Sequence, residues 1–265
     1  MEQIQQKSNI EKIKSIFLKD NSINKPIKIA IRKIGLYQSI YSLFDKLEMH
    51  NEISMKYIKK LISKDNPIVL EIGAHIGQDT VRFLKTFRNI TIYSFEPDPR
   101  SVIQFKKNVK NPNSKLISCA ISDKNGYITL NQSTGSIDYV GGKEKINDWT
   151  ASSTLKNPLK QSNFVRYEKK IKVKTIKLDY WVKKNKIPII DFMWADVEGA
   201  ERELIIGGQE TLNKKTRYFY TEFFDDPVYE DQASLKEIKN MLPEFKVIGI
   251  FGNNVLMRNE NLINS

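Results

Sequence analysis

The chain has 265 residues, 40% of them hydrophobic, and carries 43 Lys and Arg against 31 Asp and Glu, a formal net charge of +12. That length can bury one substantial core, as one large domain or as one domain with an appendage. The single cysteine, Cys119, excludes an intrachain disulfide. The polar start, Met1 to Gln6, and the lack of any apolar run near the roughly 20 residues of a membrane span support neither secretion nor spanning, so a cytoplasmic location is the expectation. The positive balance admits nucleic acid, a membrane surface or an anionic small substrate. The lysines are spread along the chain with no aromatic-interleaved basic cluster, so nucleic acid is not the expected partner.

Residues 1–65 read as an N-terminal helical appendage. Ile10, Ile13, Ile16 and Phe17 recur at helical spacing, Pro26 precedes a second stripe of Ile27, Ala30, Ile31 and Ile34, and Tyr37, Ile40, Tyr41 and Phe44 continue it. Such a stripe more often packs on its own domain than on a membrane, and covering the mouth of a site is a plausible task for it.

The first anchor is the stretch from Ile68 to Asp79. An apolar run after Pro67 predicts a buried parallel strand, and Gly73 and Gly77 mark a tight turn before a helix that starts near Thr80. Such a nucleotide-binding turn needs an acid about 20 residues on to hold a ribose, and Glu96 ends the next apolar strand there, followed by Pro97 and Asp98. The glycine spacing differs from the dinucleotide pattern, because Ala74 and His75 follow Gly73 and the next glycine is Gly77. A ligand without phosphates at the turn suits it better, which points to S-adenosylmethionine, with Glu71 and backbone groups meeting its amino-acid tail.

Strand and helix then alternate, the signature of a doubly wound α/β sheet. A helix is expected over 100–109 and strands over 115–120 and 127–130, with Ala120 and Ile121 at a strand end where an adenine ring could lie. Residues 133–164 are rich in Ser, Thr, Gly, Asn and Lys and are expected to form a substrate lid. Its rings Tyr139 and Trp149 and hydroxyls Ser152 and Ser153 suit a sugar. An exposed strand over 171–176 and a helix over 178–184 follow.

The second anchor is the buried run from Ile187 to Ala195, which ends in Asp196-Val197-Glu198-Gly199-Ala200-Glu201. Ligands of open α/β sheets sit beyond the carboxyl ends of the strands, so Asp196 is expected to face the crevice of Gly73 and Glu96. Helix capping accounts for one or two of these acids, but not for a carboxylate that ends a central strand. A further strand, 217–222, ends in Glu222, with Asp225 just beyond. A helix over 233–242 and strands over 245–250 and 254–257 complete the sheet, and 260–265 reads as a tail.

Together, Glu71-x-Gly73-Ala74-x-Ile76-Gly77, Phe95-Glu96-Pro97-Asp98 and Asp196 to Glu201 resemble the FkbM-type methyltransferases. The resemblance covers residues 68–257. It implies a Rossmann-like class I methyltransferase domain over 66–259, a seven-strand, mostly parallel sheet with helices on both faces, and O-methylation of sugars or natural products. The chain departs from the family at His75, where Asn is usual, and at Trp194, where Lys is frequent. The implied donor site comprises Glu71, Gly73, Ala74, His75, Gly77, Glu96, Pro97, Asp98, Ala120, Ile121 and Asp196. For activation of the acceptor hydroxyl, Asp196 and Glu222 are the first choice, as base and orienting group or, with Asp225, as ligands of Mg2+ or Mn2+, and His75 is a competing base. The expected acceptor is a small or nucleotide-linked sugar of a surface glycan. An RNA methyltransferase and a non-catalytic scaffold are the alternatives.

Overall fold

A computed structural model describes residues 52–138, 145–147, 150–159 and 165–263. Its frame is a seven-stranded sheet built around the inner strand β1 (Ile68–Ile72). On one side of β1 lie β2 (Thr91–Phe95) and β3 (Ser114–Ile117). On the other lie β9 (Ile190–Ala195), β10 (Thr216–Glu222), β12 (Asn254–Asn259) and, at the edge, β11 (Phe245–Phe251). Strands β1, β2, β3, β9 and β10 pair in parallel, and β12 runs against both of its neighbours. The mostly parallel, doubly wound sheet is therefore as the sequence predicts.

Burial on both faces explains the near-continuous apolar runs of the central strands. Alternate residues of β1 enter opposite cores. Leu70 and Ile72 join Phe95, Trp181, Met193 and Phe219 on one face, and Val69 joins Phe83, Ile92, Phe192 and Tyr220 on the other. Helix α1 (Met55–Ile62), capped by Ser54, contributes Ile58 and Ile62 to the second core. The described part of the predicted appendage thus belongs to the sheet domain, and residues 1–51 lie outside the described residues.

Helix α2 (Gln78–Thr86) connects β1 to β2, and α3 (Pro99–Asn108) connects β2 to β3. The expected strand over 115–120 divides. Its end, β4 (Ala120–Ile121), leaves the large sheet and pairs in parallel with β8 (Arg166–Ile176), which pairs antiparallel with β5 (Gly126–Thr134). Between β5 and β8, β6 (Ser136–Asp138) and β7 (Lys145–Asn147) pair with each other, so the expected lid contains a small hairpin. Helix α4 (Leu178–Lys184) matches the expected span. After β9 come α5 (Glu201–Gly207) and a second helix, α6 (Gln209–Lys215), which periodicity did not reveal. Helix α7 (Leu235–Met241) starts from a Ser234/Glu237 capping box, and the predicted tail opens with a helical turn, α8 (Glu260–Ile263).

The sheet is closed at its centre by a backbone contact. Gly73 has φ +90°, and a Cβ there would lie 1.7 Å from the Asp196 carbonyl oxygen. Gly73→Ala is therefore expected to cost more than about 4 kcal/mol in urea unfolding, whereas Gly126→Ala, at φ +135° with open space around it, should cost no more than about 1–3 kcal/mol of backbone strain. Equal losses for the two variants would contradict this account.

Candidate active site

Two pockets open beyond the carboxyl ends of β1, β2 and β9. The larger by empty volume has about 910 Å³, its open mouth included. Its floor is the turn after β1: Gly73, Ala74 and His75 line it, together with Gln78 and Asp79 from the start of α2. Three alternate turn positions have positive φ, Gly73 at 90°, His75 at 46° and Gly77 at 85°. Gly77 is needed for packing, since a Cβ there would lie 2.6 Å from Val109 and 2.9 Å from Phe105. Opposite lie Phe95, Glu96 and Pro97, and an apolar wall of Cys119, Ala120, Ile121 and Leu130 suits a flat ring.

Glu96 holds the site's geometry as well as lining it. One carboxylate oxygen accepts the His75 N–H at 2.7 Å and the other accepts the Asp98 N–H at 2.7 Å. A carboxylate has lone pairs left for a ribose hydroxyl. Burial pushes Glu96 up to about 8, against the opposing effect of those two backbone donors. The His75 ring sits with Nε2 2.7 Å from the Thr150 hydroxyl. Burial lowers its pKa, with Asp98 acting the other way, so the imidazole is neutral near pH 7. It lines the larger pocket and not the smaller one.

Three predicted donor contacts are corrected: Gly77, which packs against Val109 and Phe105 outside the pocket lining, and two carboxylates. Glu71 does not line the pocket: its side chain lies on the Val69 face of β1, fully buried, and accepts hydrogen bonds from Thr80 and, at 2.7 Å, from Ser94. It ties α2 and β2 to β1, and burial pushes its carboxyl up to about 7. Asp98 is likewise buried and outside the pocket lining. It caps α3 by accepting the Arg100 N–H at 3.0 Å and pairs with the Arg100 guanidinium at 2.7 Å. Burial opposes its charge, but Arg100, helped by Ser153, holds the Asp98 carboxyl below its ordinary value.

The second pocket, with an empty volume of about 640 Å³, is lined by Ser152, Val165, Tyr167, Asp196, Glu198, Glu222, Phe224, Val228 and Tyr229. Asp196 and Glu198 line both pockets, so the two cavities meet at the turn after β9. This turn is strained: Glu198 has φ +49° and Gly199 has φ +93°, and a Cβ on Gly199 would lie 2.6 Å from the Tyr229 ring. Tyr229 donates to Glu198 at 2.5 Å, its oxygen lies 3.2 Å from that of Tyr167, and the Thr154 hydroxyl donates to the Glu198 carbonyl at 2.6 Å.

The carboxylates here raise one another. Asp196 is open to the cavity yet ringed by protein, and loss of hydration, followed by the charges of Asp79 and Glu52, pushes it up to about 6. Loss of hydration and then the charge of Asp196 push Glu198 up to about 8 and Glu222 up to about 9. Asp196 is thus the most acidic of the three and the one ionised at neutral pH.

The remaining predicted residues are placed unevenly. Ser153 lines the larger pocket and Ser152 the smaller, whereas Tyr139 and Trp149 lie outside the described residues. Asp225 is exposed and lines neither pocket. Among the described residues no group of three or more His, Cys, Asp or Glu side chains is arranged to hold a metal ion. The predicted set of Asp196, Glu222 and Asp225 does not fit a divalent ion, since Asp225 lies outside the pocket that Asp196 and Glu222 line. Trp194, a departure from the family pattern, is buried against Phe83 and Tyr220, away from both linings. Glu198, Tyr167, Tyr229 and Asp79 escaped sequence reasoning. Glu198 stood within a noted motif, but the two tyrosines carry no local signal.

A sequence model of the methyltransferase FkbM domain matches residues 71–246. The chain belongs to the FkbM family of methyltransferases. It is 36% identical over 215 residues to the 2-O-methyltransferase NoeI of Sinorhizobium fredii (strain NBRC 101917 / NGR234), across 78% of this chain and 85% of that protein. Among solved structures, the plantazolicin methyltransferase BpumL in complex with SAH aligns over 97% of this chain and 99% of its own, at 12% identity and a TM-score of 0.40. A methyltransferase from an antibiotic biosynthesis pathway of Anabaena variabilis ATCC 29413 aligns over 25% of each chain at 19% identity and a TM-score of 0.22. As an FkbM methyltransferase the enzyme uses S-adenosylmethionine, and the larger pocket, with its glycine turn, strand-end acid and apolar wall, fits that donor. Among the described residues no helix is long and apolar enough to cross a membrane.

The buried acids make stability depend on pH. Glu71 is raised to about 7 and Glu96 and Glu201 to about 8. Between the ordinary carboxylate value and these values the folded state holds protons that the unfolded state has released, so stability falls as pH rises. The thermal midpoint of the ligand-free enzyme should drop from pH 5 to pH 9. Glu201→Gln should flatten that slope, because Glu201 is fully buried with Oε2 unpartnered. A midpoint that climbs over this range would refute the assignment.

Proposed function

We propose that this enzyme methylates a hydroxyl of a sugar, with Asp196 as the base that takes the hydroxyl proton. The observation that carries the reading is the junction of the two pockets at Asp196 and Glu198. A donor in the larger cavity and an acceptor in the smaller one would meet beside the most acidic carboxylate of the cluster. When bound, S-adenosylmethionine supplies an electrophilic methyl group on a sulfonium. The chain must then hold the acceptor oxygen in line and remove its proton, and a carboxylate raised to about 6 is ionised at pH 7 yet more basic than an ordinary one. Glu198 and Glu222, raised further, retain protons and can both donate to and accept from ring hydroxyls.

The lining also describes the acceptor. Tyr167, Phe224 and Tyr229 offer aromatic surface for a sugar face, and Ser152 adds a hydroxyl. Three carboxyls and no cation line this pocket among the described residues, which suits an uncharged ring and leaves any diphosphate of a nucleotide-linked sugar outside it. The same arrangement disfavours a polynucleotide, whose phosphates would face the acids. The name of the relative, a 2-O-methyltransferase, supports oxygen as the accepting atom. Nucleotide-linked precursors of a surface glycan and a cytoplasmic site of action belong to this reading.

Asp196→Asn should lower kcat by about 100-fold to 10,000-fold, the usual contribution of a general base, and leave the dissociation constant of S-adenosylhomocysteine within a few fold. In the wild type, kcat/KM should rise with pH through about 6 as Asp196 ionises. A variant that retains wild-type turnover would remove Asp196 from the chemistry. In a panel of methyl hexopyranosides and matched hexuronates, the neutral members should be the better acceptors, and preference for the uronates would refute the charge argument.

A further inference from the structure

The expected lid divides into parts with different duties. Thr150, Ala151, Ser153 and Leu155 form one wall of the larger pocket, so this strap covers that cavity. The question is what holds it there. Thr150 meets the His75 ring at 2.7 Å, and the Ser153 hydroxyl donates to Asp98 at 3.0 Å. Asp98 also accepts from Gln132 Nε2 at 2.8 Å and from Arg100, whose guanidinium donates in turn to the Ser133 carbonyl at 3.0 Å. The Ser133 N–H donates to the Ser153 hydroxyl at 3.1 Å. One buried carboxylate therefore joins the N-terminus of α3, the end of β5 and the strap at Ser153, while two backbone hydrogen bonds with Asn131 anchor the far end of the strap at Thr154.

We propose that Asp98 is a positioning residue, the latch that keeps the strap of residues 150–155 closed over the donor pocket, so that donor entry and product exit require this carboxylate to release Ser153. The inference rests on the larger pocket being the donor site. Hydrogen bonds to a buried carboxylate are among the stronger ones in proteins, and Asp98 is fully buried with the strap closed. A closed strap gates both directions of traffic. Loosening the latch raises the population of the open form whether or not ligand is bound, so association and dissociation both accelerate and the dissociation constant changes less than either rate. Damage to the pocket itself has another signature, since it speeds dissociation alone.

The test is rapid-mixing kinetics of S-adenosylhomocysteine binding to the full chain. Asp98→Asn keeps a residue competent to cap α3 and removes the charge that holds Arg100, Gln132 and Ser153. Both rate constants should rise about tenfold, the value of one charge-assisted hydrogen bond. Ser153→Ala, which leaves the Asp98–Arg100 pair intact, should shift both rates in the same direction by a smaller factor. It should add little in the Asp98→Asn background. Hydrogen exchange should quicken at the amides of 150–155 and stay unchanged in β1 and β9. Unchanged rates in both variants, or faster dissociation with unaltered association, would overturn the latch. Loss of binding already in the wild type would instead overturn the donor-site reading.

Discussion

The contact between the Gly73 turn and the Asp196 carbonyl sets the geometry on which the rest of this enzyme depends. Sheet pairing extends to the last residues of β1 and β9, Ile72 against Ala195, and the Asp196 N–H closes it by donating to the Ile72 carbonyl at 2.9 Å. The two chains then turn apart with no side chain between them. The cofactor turn and the acidic turn are in consequence one rigid body, and neither can be displaced without moving the other. Glu96 is added from the neighbouring strand by the same logic, because Gly73 and Ala74 both donate their N–H groups to the Phe95 carbonyl at 3.0 Å. Three strand ends are thereby fixed by backbone bonds before any functional side chain is considered.

On this body the chain concentrates acidic side chains, against its own overall sign. With +12 over the whole sequence, the pockets still gather Asp79, Glu96, Asp196, Glu198 and Glu222. Loss of hydration, more than crowding, raises these groups; Asp196 stays ionised at neutral pH, and under the proposed function a cationic donor gains from that charge while a neutral product does not. The arrangement therefore favours the reactant over the demethylated product by charge alone. Strain is placed at the same turn. The left-handed backbone of Glu198 is sustained by the hydroxyls of Thr154 and Tyr229, which hold its carbonyl and its carboxyl respectively.

What could be read from the sequence was what lay at strand ends. Glu96 and Asp196 follow apolar runs directly, and a polar residue there must point into the crevice or carry a penalty. Glu71 was misread because a run buried on both faces hides which of its residues point where. Its position two residues before Gly73 puts it on the Val69 side, toward Thr80. Asp98 was misread for a different reason: Pro99 after it is a helix-start signal, and capping accounts for the acid. Tyr167 and Tyr229 come from segments 62 residues apart, and only the three-dimensional path of β8 brings them to Glu198. The β5–β8 pair escaped because its lysine-rich alternation resembles any exposed strand, with nothing in it to name a partner.

Ser152 and Ser153, adjacent in sequence, face different pockets, and this ties donor handling to acceptor recognition. Ser153 reaches Asp98, whereas the Ser152 side chain hydrogen-bonds Glu198, the residue that borders both cavities. Displacing the strap therefore removes a wall from the larger pocket and a hydrogen bond from the smaller one in one movement. The other acceptor walls come from elsewhere, Tyr167 from β8 and Phe224, Val228 and Tyr229 from the segment after β10. These can change in shape without touching the glycine turn or Glu96. Under the proposed function the fold confines the donor to the sheet centre and leaves the acceptor to its periphery, with the 150–155 strap as the part that both share.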